Sequence, residues 1–536
     1  MASLKKYDDH ESVVTRLEEV ASLEYPFRPI PKFIKPKNKA EFINLKSRKN
    51  VLPLLKALLL MIFDIIGPPL MIVLISLGWY HHCNNFETAV GAIICVRIFI
   101  RDKFFIHFIT DGRFGGLGSG SGGNEPREGF YCNEQNNTNV RIRSKLKQFV
   151  DDYSPTPYLF SGGLLTLAPF LFFKGSIGGR VPYTRYWIKV PAAAGYDGDD
   201  GPTKKCTTNT NENDQEAVAV DIVFPKGGYQ PEKPFFLVLH GLNGGSTEPY
   251  ILDLARNATD KGCAIAVMIN RGLMKTPIKG YESFHGARTS DVSSTVDALN
   301  YALYGKINVD KNNDSNNTMT TNNIILVGFS MGGIIASNYA SKSKSNSGIA
   351  GAVSFSGSLC VNNTLLRNPA TQHSLQVWQP ALAWGLKASI IKPLMPKFVT
   401  RNITVNDVEK SKTVMDIDAD LVCKYHGYKT VHDYYEDMSA GGLGDSKGIN
   451  RLKGTQVPLL TVHAIDDPIA AYEVTLQNEI EKTDNVMLLA TKHGGHIGWP
   501  TGWFPSKHRW KFMIDITLEY AFEIVNISQE QLEQSQ

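Results

Sequence analysis

From Pro155 onward, short apolar runs alternate with amphipathic stretches. Tyr186–Val190, Ala217–Phe224 and Phe235–His240 read as early strands. Cys263–Ile269, Asn323–Phe329, Ile349–Phe355, Pro458–His463 and Asn485–Ala490 are apolar runs bounded by polar loops. That is the pattern of strands buried on both faces of a parallel sheet. Helical periods lie between several of them, at Pro249–Thr259, Ser290–Leu303 and Gly332–Ser343. The alternation predicts an α/β domain over 155–536 with a doubly wound, mostly parallel sheet. The interval 360–455 breaks the rhythm. It reads as helical, carries Trp378, Trp384, Tyr434 and Tyr435, and predicts a cap inserted into the sheet.

The N-terminal part follows another pattern. Residues 1–50 read as a polar tail, with eight Lys/Arg and one acid, Glu41, between Arg28 and Lys49. Ala57–Tyr80 is a run of 24 mostly apolar residues, where a spanning helix needs about twenty. Thirteen of them are Leu, Ile, Val or Phe. Their insertion energy, about −4 to −8 kcal/mol, outweighs the roughly +3 kcal/mol of Asp64. The run lies too far from the N-terminus for a cleaved signal peptide, so 51–80 is expected to be a signal anchor. Pro68 and Pro69 leave a kinked or re-entrant helix open, and the basic flank predicts a cytoplasmic N-terminus.

Thr88–Ile109, with Arg97 and Arg101 one turn apart, reads as an interfacial amphipathic helix rather than a second span. One span puts the α/β domain across the membrane from the N-terminus; two return it. The expectation is a single-pass protein of the endoplasmic reticulum or another endomembrane. Within the juxtamembrane segment 81–154, residues 112–123 (GRFGGLGSGSGG) form a linker. A phosphate loop is disfavoured, because no clean strand leads in and no Lys-Ser/Thr follows. The stretches 195–215 and 308–322 read as surface insertions.

Composition narrows the function. The 536 residues are 43% hydrophobic and carry a net charge of +4, an ordinary globular balance. No concentrated basic face supports a nucleic-acid partner. The seven cysteines show no C-x-x-C spacing, which argues against a zinc site and a dense disulfide framework. No metal or organic cofactor is implied. Seven N-x-S/T sequons (Asn136, Asn257, Asn313, Asn316, Asn362, Asn402 and Asn526), slightly above chance, hint at a lumenal domain.

The strongest chemical signal is G-F-S-M-G at 328–332. The apolar run 324–327 leads in, and the small residues after it open a helix. So sharp a strand-to-helix turn lifts the Ser330 hydroxyl above the sheet. A serine needs a base, and the base needs an orienting group. T-K-H-G-G-H-I-G-W follows the strand Asn485–Ala490 and makes His496 the preferred base, with His493 as competitor. Asp466-Asp467-Pro468 follows the strand before it. Asp467 is the preferred acid and Asp466 the runner-up. The oxyanion donors are expected to be the N–H groups of Met331 and of Leu242, in the loop H-G-L-N-G at 240–244. His240 reads as structural, shaping that loop.

Together these residues resemble the α/β-hydrolase fold superfamily, in the order Ser330, Asp467, His496. The finer pattern is similar to the YheT-like branch of esterases, ester synthases and membrane-anchored lipid hydrolases. It is carried by PTPYLFSGGLLTL (155–167), HGLNGGS (240–246), NRG (270–272), GFSMGG (328–333), HDYYEDMS (432–439), AIDDPI (464–469) and GGHIGW (494–499). The resemblance spans about 155–525. It departs from the family in the insertion at 192–215, which separates the first strand pair. It implies that the apolar stretch Tyr158–Phe173 borders the substrate entrance. Gly162, Gly163 and Pro169 also argue against a span there.

The leading expectation is a membrane-anchored serine hydrolase for fatty-acyl esters: acylglycerol, phospholipid or alkyl ester. One alternative is an acyl-ester synthase or acyltransferase on the same triad. His432 to Asp437 also shows an H-x-x-x-x-D spacing, in the expected cap, with a structural helix start as its plainer reading. Another alternative is a non-catalytic binding module. Serine at the nucleophile argues against dehalogenase and epoxide hydrolase chemistry.

Overall fold

The computed structural model describes residues 9–27, 126–159, 161–173, 180–191, 215–279, 283–305, 322–342, 348–361, 374–391, 403–441 and 451–535. The expected anchor at 51–80, the segment 88–109 and the glycine linker lie outside them. Among the described residues no helix is long and apolar enough to cross a membrane.

One ten-stranded sheet organises the described chain. In chain order its strands are β1 (Ala21–Ser22), β2 (Gly129–Cys132), β3 (Thr184–Pro191), β4 (Gln215–Val223), β5 (Phe235–Leu239), β6 (Ala264–Ile269), β7 (Ile324–Phe329), β8 (Gly351–Phe355), β9 (Leu459–Ala464) and β10 (Val486–Thr491). Their order across the sheet is β1-β3-β4-β6-β5-β7-β8-β9-β10-β2. The strands from β6 through β10 are parallel; the pairs at the two edges are antiparallel. Every residue of β5 through β10 is buried, as near-continuous apolar runs between two helical layers require.

The helices that matter here are α1 (His10–Val20), α2 (Asn137–Leu146), α3 (Gly162–Phe172), α4 (Pro249–Asp260), α5 (Ser290–Tyr304), α6 (Met331–Lys342), α7 (Gln379–Leu386), α8 (Val431–Met438) and α9 (Lys511–Ser535). Between β8 and β9 the described elements are all helical. Four of the cysteines, Cys132, Cys263, Cys360 and Cys423, are buried free thiols.

The polar tail differs from its expectation. Asp9 caps α1 through Ser12 N–H, and α1 buries Val13 and Leu17, one turn apart. Arg16 donates to the Ala302 carbonyl at the end of α5. β1 then extends the sheet by pairing Ala21 with Ile188. The described residues 9–27 thus join the same sheet as the described residues from 126 onward. A single span at 51–80 would put the two on opposite sides of a membrane, so the single-pass expectation is not supported.

Candidate active site

Three loops converge at the carboxyl ends of β7, β9 and β10, where open α/β sheets place their sites. The turn after β7 holds Ser330 at φ +52, a left-handed conformation that costs a non-glycine residue about 1–3 kcal/mol. Its N–H is tied to the Phe355 carbonyl at 2.8 Å. A Cβ on Gly328 would stand 2.2 Å from the Gly332 carbonyl oxygen, and one on Gly332 would stand 2.2 Å from that of Leu239. Both glycines are therefore steric necessities of the turn.

Ser330 Oγ lies 2.8 Å from Nε2 of His496. On the other side of the ring, Nδ1 lies 2.8 Å from Oδ2 of Asp467. Asp467 Oδ1 accepts from the N–H groups of Ile469 (2.9 Å) and Ala470 (3.0 Å). Burial alone would push this carboxyl up. The facing His496, nearby His463 and the Ala470 N–H outweigh burial and hold it below the ordinary carboxylate value. A carboxylate so held keeps the imidazole in the tautomer that leaves Nε2 free to take a proton.

The two competing residues pair with each other. His493 Nδ1 lies 3.1 Å from Asp466 Oδ2, and Asp466 Oδ1 accepts from Gly495 N–H at 2.9 Å. This pair ties down the loop that carries His496. Two further groups, absent from the sequence expectations, act on the same loop. Thr166 Oγ1 on α3 accepts the His496 N–H at 2.8 Å, and Ser356 Oγ after β8 accepts the Ile497 N–H at 3.2 Å. Thr166 is the lone hydroxyl in the run G-G-L-L-T-L-A-P-F-L-F, a signal that was available.

The loop after β5 sits beside Ser330: a Cβ on Gly241 would lie 3.5 Å from the Ser330 Cβ. His240 is fully buried. Its Nδ1–H donates to the Gly241 carbonyl at 2.8 Å, and its Nε2 accepts from Asn270 N–H at 3.2 Å. Burial lowers its pKa to about 4, so the ring stays neutral, as this bonding needs. Gly244 N–H donates to the same Gly241 carbonyl at 3.0 Å. In a trans peptide the carbonyl and the next N–H point opposite ways. Anchoring the Gly241 oxygen therefore turns the Leu242 N–H away from these donors. Neither Leu242 N–H nor Met331 N–H donates to a described protein group.

His432 and Asp437 are not brought together. His432 is exposed on α8, while Asp437 is buried, 3.0 Å from Lys342 Nζ and accepting from Tyr428 OH at 2.6 Å. Five residues apart on a helix, the two point to different faces. Asp437, through Lys342 and Asn338, docks α8 on α6. Among the described residues no cluster of side chains has the make-up of a metal site.

A sequence profile of the alpha/beta hydrolase fold matches residues 234–501, half of the chain. The chain belongs to this family. Its strand order, with the sharp turn after β7 and the loops after β9 and β10, is that of the fold. Over 281 residues it is 27% identical to the monoacylglycerol lipase of Saccharomyces cerevisiae, covering 51% of this chain and 57% of that protein. It is 26% identical over 302 residues to phospholipase ABHD3 of Mus musculus, covering 55% and 66%. Against monoacylglycerol lipase ABHD2 of Homo sapiens it is 29% identical over 217 residues, covering 37% and 47%. The similarity thus spans about half to two thirds of these relatives.

Proposed function

We propose that this alpha/beta hydrolase is a membrane-anchored serine esterase that cleaves fatty-acyl esters through an acyl-enzyme on Ser330, Asp467 and His496. The observation that carries the reading is the unbroken chain of contacts from Ser330 Oγ through His496 to Asp467, each step 2.8 Å.

In this reading Ser330 Oγ attacks the ester carbonyl while His496 Nε2 takes its proton. Asp467 stays ionised and stabilises the imidazolium. The N–H groups of Leu242 and Met331 receive the oxyanion, each worth about 3 kcal/mol. His496 then protonates the departing alkoxide and the alcohol leaves. Water, deprotonated by the same nitrogen, attacks the Ser330 ester and releases the fatty acid.

The lipase and phospholipase names of the relatives support an acylglycerol or phospholipid substrate. The resemblance to the YheT-like branch adds alkyl esters of fatty acids. The apolar run Ala57–Tyr80 supports attachment to a membrane. Acyl transfer would use the same three residues, and the separation of His432 from Asp437 removes the feature that pointed to a second transferase site.

The test is active-site labelling of the full chain in membranes with a fluorophosphonate probe. Wild-type protein is expected to label and Ser330→Ala is not. Absence of labelling in folded wild type would overturn the reading.

A further inference from the structure

Six large apolar residues stand exposed on two adjoining segments: Tyr158, Phe170, Leu171 and Phe172 on one, Trp503 and Phe504 on the other. Phe172, Trp503 and Phe504 are each at least 67% exposed. We propose that this surface is a second membrane contact, made by the folded domain itself, which docks into the interfacial zone of a bilayer beside the candidate active site.

The segments form one surface because they touch along their length. Tyr158 OH donates to the Trp503 carbonyl at 3.0 Å. A Cβ on Gly498 would meet the Leu165 carbonyl oxygen at 2.2 Å. Phe173 packs edge-on against Trp510, ring centroids 5.1 Å apart. α3 is too short to span, at 11 residues. It buries Leu164, Leu165, Thr166, Ala168 and Pro169 and leaves its last three side chains outside.

The occupant follows from three observations. The exposed set is Trp, Tyr, three Phe and a Leu; Trp and Tyr favour the membrane–water boundary, and Phe and Leu beside Trp form the buried face of interfacial segments. Lys507 Nζ lies 5.2 Å from the Phe504 ring centroid, and residues 501–514 contain no acid, which suits anionic head groups. Finally, the described residues that flank the interval 28–125 lie at this end of the sheet. Phe27 stacks under Lys279 in the loop after β6, 4.1 Å from the ring centroid. Gly129 pairs with Ala490 near the end of β10, and Lys492 N–H donates to Glu128 at 3.4 Å. The 28–125 interval between those points holds the apolar run Ala57–Tyr80. The points where this interval leaves and rejoins the described structure thus lie at the sheet end that carries the exposed aromatics, which favours a bilayer on that side. Through Thr166, α3 also holds His496, so docking would seat a lipid's ester next to Ser330. This last step rests on the esterase reading; the docking does not.

The test uses the full chain reconstituted in vesicles of phosphatidylcholine and phosphatidylserine with brominated acyl chains. Trp503 emission is read as the difference between wild type and Trp503→Phe. Quenching by the brominated lipid is expected. Emission that is unquenched by lipid but open to aqueous iodide would overturn the proposal. Emission shielded from both would assign the surface to the 28–125 segment or a second copy, and would overturn it too. In parallel, Phe172→Ser combined with Phe504→Ser is expected to slow hydrolysis of long-chain monoacylglycerol in vesicles about tenfold. Turnover of a water-soluble short-chain ester should hold. An equal fall on both substrates, or no fall on either, would overturn the docking. If wild type hydrolyses neither ester, the esterase reading fails and the quenching alone decides the surface.

Discussion

Two Asp–His pairs lie side by side at the ends of β9 and β10, built from adjacent aspartates and from histidines three residues apart. Asp467 with His496 faces Ser330; Asp466 with His493 does not. The side chain of His496 is 8% exposed, that of His493 35%. The Asp467 carboxyl sits below its ordinary value, because His496 and further partners outweigh its burial. Burial pushes the Asp466 carboxyl up; His493 and Gly495 N–H offset this only in part, and the charge on Asp467 adds to the rise. The difference teaches that an Asp–His contact is not a chemical function in itself. One pair is aligned with the Ser330 hydroxyl, and its carboxyl is held below the ordinary value. The other holds the loop that presents the first.

The comparison breaks most sharply at Asp467. Asp467→Asn removes the charge that orients His496 and stabilises its protonated form. The expected loss in kcat is about 10⁴-fold. Steady-state ester turnover by the variant checks it. A loss of tenfold or less would mean that the two pairs do not differ in role.

Asp466 is a positioning residue in this account, so its loss should cost less and change different quantities. Asp466→Ala frees His493 and the Gly495 N–H together, and kcat is expected to fall by about 10–100-fold through displacement of His496. Asp466→Asn keeps an oxygen for Gly495 N–H and should recover most of that activity. Ester turnover by both variants checks this, and an Asp466→Asn no more active than Asp466→Ala would show that the contact to Gly495 N–H does not position His496.

Much of this arrangement was legible in the sequence. The eight strands β3 to β10 are found within two residues of their expected ends. For β5 to β10 the reason is that buried parallel strands are uninterrupted apolar runs; the antiparallel β3 and β4 carry shorter apolar runs, Trp187–Ile188 and Ala217–Val220. Ser330, Asp467 and His496 follow from turn chemistry after those strands. Three elements were not legible. β1 and β2 are edge strands of two and four residues, too short for a periodicity to register. α1 has only four apolar residues, Val13, Val14, Leu17 and Val20, and its place is set by contacts nearly 290 residues away, such as Arg16 on Ala302. The pairing of His493 with Asp466 was equally hidden: adjacent candidates can be ranked by their place in a loop, but which carboxylate meets which imidazole depends on the approach of Gly162, whose Cβ would overlap the Asp466 carbonyl.

Stability against pH gives the finest separation of the pairs, because the two carboxyls are shifted in opposite directions. Asp467 is depressed in the folded state, so its charge contributes stability above the unfolded carboxylate pKa. That contribution is lost as pH falls through the folded value. Asp466 is raised, so the folded state prefers it protonated. The stability this gives is fully present below the unfolded pKa and is lost as pH rises through the folded value. Asp467→Asn should therefore lower Tm at pH 7 and lose that deficit toward acid pH. Asp466→Asn should move the other way, gaining on wild type as pH rises from the acid range to neutrality. Each swing is expected to be roughly a few degrees. Thermal unfolding of both variants and wild type across that range measures it. Parallel pH trends in the two variants would show that the carboxyls share one environment, and the division of labour between the pairs would then have to come from reach to Ser330 alone.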